Sequence, residues 1–256
     1  LGGAYSPTFN HTIALSAGAG TQAPLARNAF VAPRAQNNFV DHLTNEDIYD
    51  ADLSYTFRLG PVVGKLSGYY ARFGRQVEQS AFYNDQQSTF TYLTMTGVRK
   101  EHYGVEAAFD VQATNNLSFL LLASVGDAKY TNNPYAQISY EGMNANELAR
   151  LNKVVNPVTK ENMPLRVIAD GMRVSSTPLT AVSLGANYSI NGWFFEASAN
   201  YYDRVYVGFS PYRRLNSTYN GDGHFYLPSG TDAAGRPSYD VTENEVKREG
   251  GVLFDA

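Results

Sequence analysis

The sequence predicts an all-β protein: part of an antiparallel transmembrane β-barrel, about seven to eight strands with long extracellular loops. Three observations carry that expectation. Long segments alternate apolar and polar residues, so each strand has two unlike faces. The connections between them alternate short and long. The composition is poor in charge, at 17%, and rich in aromatics, at 13%, which suits surfaces with one apolar and one wet side.

The segment Asp47 to Leu59 shows the pattern most clearly. Tyr49, Ala51, Leu53, Tyr55, Phe57 and Leu59 fall on one side, and Asp50, Asp52, Ser54, Thr56 and Arg58 on the other. In a soluble sandwich the polar side would face out. In a transmembrane barrel it lines the lumen, and the apolar side meets lipid.

Along the chain, a stub Leu1 to Tyr5 precedes a strand from His11 to Gly18. A Pro- and Asn-bearing connection, Thr21 to Glu46, leads into Asp47 to Leu59. Gly60-Pro61 turns the chain into a strand from Val62 through Arg72 and on towards Tyr83. A loop at Asn84-Asp85-Gln86-Gln87 precedes the strand Thr89 to Gln112, and Ala113-Thr114-Asn115-Asn116 turns into Leu117 to Tyr130. The connection Thr131 to Ser176 is far longer than ordinary loops. Beyond it lie Leu179 to Ile190, the two-residue turn Asn191-Gly192, and Trp193 to Phe209. Asn-Gly between two alternating runs is the strongest short-range hairpin signal. Short turns at one end and long loops at the other match a barrel in which one end does the recognition. Trp193 and the pair Tyr201-Tyr202 sit near opposite strand ends, as an interfacial girdle would place them.

Several function classes drop out. A net charge of −4 leaves no basic footprint for nucleic acid. With no Cys there is neither a disulfide framework nor a thiolate metal site. No apolar run approaches the roughly 18 to 20 residues of a membrane helix. No leader is visible ahead of Leu1.

Chemical motifs fail on inspection. Gly18-Ala19-Gly20-Thr21-Gln22-Ala23 has dinucleotide-fingerprint spacing, but Pro24 follows where a helix should start. His11, His42, His102 and His224 are scattered, without metal-ligand spacing. Asp50 and Asp52, ~7 Å apart on one strand face, could form a carboxylate pair. A solvated lumen explains them more simply, with Arg58 as a nearby counter-charge. Asn220-Gly221-Asp222-Gly223 lacks the other positions of a calcium loop and reads as a turn. No nucleophile motif occurs, so no enzyme, cofactor or resident metal is expected.

Several stretches resemble a known family: Thr21-Gln22-Ala23-Pro24-Leu25-Ala26-Arg27-Asn28-Ala29-Phe30 with Gln36-Asn37-Asn38-Phe39, Gly68-Tyr69-Tyr70-Ala71-Arg72-Phe73, Met95-Thr96-Gly97-Val98, Gly104-Val105-Glu106-Ala107, and the run Gly192 to Asp203. They look like the barrel of a TonB-dependent outer-membrane receptor, of the kind found in Bacteroidetes. The resemblance implies a plug inside a barrel of 22 strands. It further implies uptake of a scarce nutrient (an iron chelate, cobalamin, glycan or peptide) energised through TonB. Residues 1–256 would then be an internal piece of the barrel's C-terminal half. No plug or TonB box is visible, and Phe254-Asp255-Ala256 resembles the start of another strand. The expected partners are outer-membrane lipid, the remainder of the barrel and its plug, the TonB complex and a surface lipoprotein. The expected location is the bacterial cell outer membrane.

Under this expectation the lumen-facing charges are Asp50, Asp52, Arg58, Glu106, Asp110 and Glu196. Substrate contacts are expected from loop aromatics and arginines, Tyr130, Tyr135, Tyr140, Tyr206, Tyr212, Arg213 and Arg214, because such side chains dominate recognition surfaces. Two other readings stay open on the residues alone. One is a soluble or surface-attached all-β binding module, such as an adhesin or a glycan-binding domain. The other is a passive porin-like barrel.

Overall fold

A computed structural model describes residues 1–33, 36–85, 88–155, 160–174, 177–217, 230–231, 237–238, 247–248 and 250–255. The expected turn Asn220 to Gly223, and Gln86 and Gln87 of the expected hairpin loop, lie outside the described residues. So do His224 and Ser176.

The architecture is a ten-stranded antiparallel sheet, an open section of barrel. Its strands are β1 (Gly2–Thr8), β2 (His11–Gln22), β3 (Glu46–Leu59), β4 (Val62–Asn84), β5 (Thr89–Thr114), β6 (Leu117–Tyr130), β7 (Tyr135–Tyr140), β8 (Thr180–Ile190), β9 (Trp193–Asp203) and β10 (Gly251–Asp255). Strands β1 to β6 and β8 to β10 pair in chain order, an up-and-down meander. β7 pairs with the upper part of β5, at Thr91–Thr96, above the stretch that β6 pairs.

Register turns the sequence alternation into two continuous surfaces, because directly opposed residues share a face. One row links Ile13, Tyr55, Leu66, Ala107, Ala123, Val182, Tyr201 and Val252. The adjacent row, on the other face, links Thr12, Thr56, Lys65, Ala108, Leu122, Ser183, Asn200 and Leu253. The first surface is apolar and the second largely polar. Leu120 and Leu122 are exceptions on the polar face, and β6 is correspondingly apolar on both sides. Tyr69 lies across this face over two glycines. A Cβ on either Gly104 or Gly126 would come within 2.8 Å of its hydroxyl, so both positions need a bare backbone.

The turns form as their residues dictate. Asn191 and Gly192 adopt φ of 48° and 83°, the paired positive values that a two-residue hairpin of matching twist requires. Strand ends differ from expectation, three of them with a local cause or by several residues. β2 continues four residues past Gly18, because pairing with β3 runs on to Gln22 and Glu46, whose side chains hydrogen-bond at 3.0 Å. β1 extends past Tyr5 to Thr8. The last long strand ends at Asp203 instead of reaching Phe209. Arg204 takes a left-handed φ of 57°, which breaks the ladder there, and among the described residues that follow, Val205–Tyr206 resumes pairing with Lys247–Arg248.

The two long connections are not bare loops. They fold, with the upper ends of β4 and β5, into a cap. Bulges between Phe73 and Glu78, with Arg75 at φ 56°, mark where the wall gives way to this extension. One apolar core packs Leu93, Met95, Val98, Tyr130 and Ile138 against Leu165, Val167, Ile168, Met172 and Leu215. A smaller one joins Val31 and Val40 to Val77, with Leu43 and Leu148 alongside. The helix α1 (Ala145–Leu151) starts at Asn144, whose side chain accepts from the backbone N–H of Asn146 and Glu147 at 3.0 Å each. The Glu147 carboxylate in turn accepts the Asn144 N–H at 3.1 Å, a reciprocal capping box. Short ladders join Phe30–Ala32 to Gln36–Phe39 and Lys153–Val155 to Asn162–Pro164.

Candidate functional site

The polar face gathers all six charged residues singled out from the alternation. Asp52 shares a row with Tyr69, Gly104 and Gly126, and Asp50 with Ala71, His102 and Ala128. Glu106 lies between Ser67 and Ser124. Arg58 and Asp110 flank Val63 in one row, so the arginine faces this aspartate across one intervening strand. Glu196 opposes Asn187, which opposes Ser118. The face carries hydroxyls, amides and charged groups. Nothing in it pairs a nucleophile with a base, and among the described residues no group of three or more His, Asp or Glu is placed to hold a metal ion.

At the base of the cap Asp47 accepts two hydrogen bonds from the Arg75 guanidinium, which holds its carboxyl below the ordinary range. Glu78 takes an ion pair from Lys100 and a 3.1 Å hydrogen bond from the Tyr130 hydroxyl. Burial first, and the Glu78 charge second, push the Tyr130 hydroxyl well above the ordinary tyrosine value. A small cavity of about 180 Å³ opens between Glu78, Met95, Tyr130, Arg173 and Phe209. It is below the size of sites that enclose a drug-sized ligand.

The seven loop residues expected to touch substrate divide by position. Tyr130 and Arg214 are buried in the cap, at 8% and 4% exposure, and Arg214 donates to the Ile168 carbonyl at 2.8 Å. Their polar atoms find internal partners, so they build the cap rather than its surface. Tyr206 is half-buried under the Arg173 guanidinium, 4.8 Å from its ring centre. Tyr140 is half-buried, and burial together with Glu147 raises its hydroxyl above the ordinary value. Tyr135 stacks on His42 at 4.2 Å between ring centres, and the Arg166 guanidinium lies 4.1 Å from the same ring. Tyr212 packs on Phe82 at 4.9 Å, with exposed Arg213 beside it.

Sequence reasoning missed Glu78, Asn133 and Arg166, and it named His42 without its contact to Tyr135. Asn133 organises the loop: its carbonyl accepts Arg166 Nη1 at 2.7 Å, and its side-chain oxygen accepts the backbone N–H groups of Ala169 and Asp170. The partners lie 33 to 37 residues away, so no local pattern signals them.

No protein-family profile matches the chain, and no curated protein matches it. Among solved structures it is similar to the toluene transporter TodX of Pseudomonas putida, at 9% identity and a TM-score of 0.36, over 77% of this chain and 52% of that one. It is also similar to a mutant of the ferric enterobactin receptor PfeA of Pseudomonas aeruginosa, at 12% identity and a TM-score of 0.35, over 98% of this chain and 38% of that one. The chain therefore spans about half of the first and less than half of the second. Likeness this low transfers no function, and neither neighbour speaks for the Bacteroidetes type.

Proposed function

We propose that this chain forms wall and external cap of an outer-membrane β-barrel that takes up a scarce nutrient (an iron chelate, cobalamin, a glycan or a peptide) with energy relayed through TonB. One observation carries the reading: the register sorts the side chains of the wall strands into an apolar and a polar surface, and the apolar one is left exposed. In β5 the apolar face runs from Tyr103 to Val111, roughly eight steps or ~27 Å along the strand. A tilt usual for membrane barrels reduces that to ~20 Å of height, close to their apolar band of about 25 Å. Tyr70 and Tyr103, paired in register, mark one rim, and Trp193, stacked on Phe195, marks the other.

In this reading the polar face lines the lumen. The outer parts of the cap, exposed Tyr212 and Arg213 with half-buried Tyr135, meet the substrate. The free edges of β1 and β10 pair with further strands, a plug fills the lumen, and a surface lipoprotein sits on the cap. The test is fractionation of the native polypeptide with uptake measured beside it. Recovery in urea-washed outer membranes, with the cap cleaved by protease on intact cells, supports the reading. Recovery as a soluble protein overturns it in favour of a binding module. Uptake that persists after the proton gradient is collapsed would remove TonB and leave a passive pore.

A further inference from the structure

Past the end of β9 the chain crosses the cap as a strap. It leaves the wall at Arg204, with its φ of 57°, and is fastened again at buried Arg214 and Leu215. The far fastening is firm. The Ile168 N–H donates to the Arg214 carbonyl at 2.8 Å, and Arg214 Nε donates to the Ile168 carbonyl at 2.8 Å. The Asn216 N–H donates to the Arg166 carbonyl at 3.0 Å. Between the fastenings Val207, Gly208, Ser210, Tyr212 and Arg213 are exposed, while Phe209 and Pro211 turn inward and are half-buried. The short helical turn Pro211–Arg214 closes on itself, with the Arg213 N–H donating to the Ser210 carbonyl at 3.1 Å. Rings tie the strap down: Phe209 stands edge-on to Tyr130 at 5.4 Å, and Tyr212 packs on Phe82 at 4.9 Å. Such ring pairs are modest attractions that form and break without unfolding the elements beneath.

Under the strap lies the cavity of about 180 Å³. One face of the β4–β5 hairpin lines it, where Glu78 opposes Met95 and Ser80 opposes Leu93. Tyr130 lines it from β6, and Gly208, Phe209 and Pro211 line it from the strap. The lining is of two kinds. Tyr130, Phe209 and Met95 are ring-seeking, since a thioether sulfur packs favourably against aromatic rings. Glu78 and Ser80 are polar, and the Glu78 carboxylate already takes the Lys100 ammonium and the Tyr130 hydroxyl. A carboxylate has about four acceptor positions, so Glu78 bonds a further donor beside those two. With the Phe209 ring withdrawn, the cavity gains the room of one phenyl group next to these acceptors.

We infer that this cavity is a binding seat for a small aryl group bearing a hydrogen-bond donor, and that Phe209 is its built-in competitor. The guest ring replaces the Phe209 ring against Tyr130 and Met95, and its donor reaches the Glu78 carboxylate or the Ser80 hydroxyl. The strap lifts between Arg204 and Arg214 to admit it. In the absence of a guest the strap closes, because a phenyl ring on an otherwise exposed segment gains by leaving water. The seat belongs to the cap's own core, so it goes beyond the uptake reading and stands whichever medium covers the wall.

The test places para-fluorophenylalanine at position 209 of the full-length polypeptide and follows it by fluorine NMR. The probe is p-cresol, with its saturated counterpart methylcyclohexanol as a control of the same shape without an aromatic ring. Unliganded, the fluorine signal should report a ring packed on Tyr130. p-Cresol should move it, saturably, to the position of a solvent-exposed ring, and methylcyclohexanol should leave it in place. Phe209→Ala removes the competitor and should bind p-cresol about tenfold more tightly than the parent, as a strap closed about nine-tenths of the time requires. A signal that p-cresol does not move, including one where p-cresol binds beside a seated ring, overturns the inference. Equal response to both probes, or a Phe209→Ala chain that binds no more tightly, overturns it as well. None of these outcomes touches the uptake reading, which is decided by fractionation and transport.

Discussion

The wall and the cap use the same residue types under opposite rules. In the wall Leu53, Val105, Leu184 and Phe195 are 55%, 62%, 50% and 56% exposed. In the cap Leu93, Leu165, Val167 and Ala169 are at most 1% exposed. The cap satisfies the hydrophobic effect within the chain, by packing two folded connections against the tops of β4 and β5. The wall satisfies its backbone by pairing but leaves its apolar side chains for another medium to cover. A domain built only like the wall would be unstable in water, and one built only like the cap would have no reason for strands with two faces.

The difference can be broken from either side, beginning with the cap core. Leu165→Ala should destabilise the cap by about 2–5 kcal/mol, in water or in bilayer alike, seen as an earlier denaturant midpoint for protease resistance. The wall should respond only when lipid is present. Leu184→Arg, on the apolar face, should cost about 2–4 kcal/mol of folding into bilayers, while its neighbour Ser183→Arg on the polar face should cost well under ~1 kcal/mol. Equal costs for the two would end the two-faced reading.

Tyr130→Phe is a subtler probe. It should cost about 1.5 kcal/mol through loss of the hydrogen bond to the Glu78 carboxylate. The parent should also lose cap stability as pH rises past the ordinary tyrosine value of 10.0. There the unfolded chain gives up a proton that the folded one keeps, so the unfolded state binds fewer protons and stability falls with rising pH. In Tyr130→Phe that alkaline loss should be flatter, as followed by the thermal midpoint between pH 8 and about 11. A more local effect is expected from Asn144→Ala, about 1 kcal/mol from loss of the helix cap, detectable as faster amide exchange in α1 alone.

The wall was largely legible in advance because its signals are local. Period-two alternation, Gly60-Pro61 and Asn191-Gly192 each act within a few residues, and pairing in chain order follows from short turns. The polar grouping of Asp50, Asp52 and Arg58 could be read from one strand. The cap was not legible. Val31 meets Val77 and Leu148, and Leu215 joins Val167 and Ile168, contacts between segments with no shared period. Tyr130 and Arg214 have the chemistry of binding residues, and only burial against Glu78 and the Ile168 carbonyl assigns them to the interior.

The sequence by itself therefore determined the wall strands, their short turns and the two chemistries of their faces, since all three follow from patterns along single segments. Tertiary structure alone decided that the described parts of the two long connections pack into a cap with the tops of β4 and β5. It also decided that Arg204 leaves its strand to lie 3.6 Å from Asp127, where Lys129 and Arg173 meet it from two other segments. Those outcomes depend on which distant segments close on one another, and that choice is made by packing and charge across the fold rather than by any local preference.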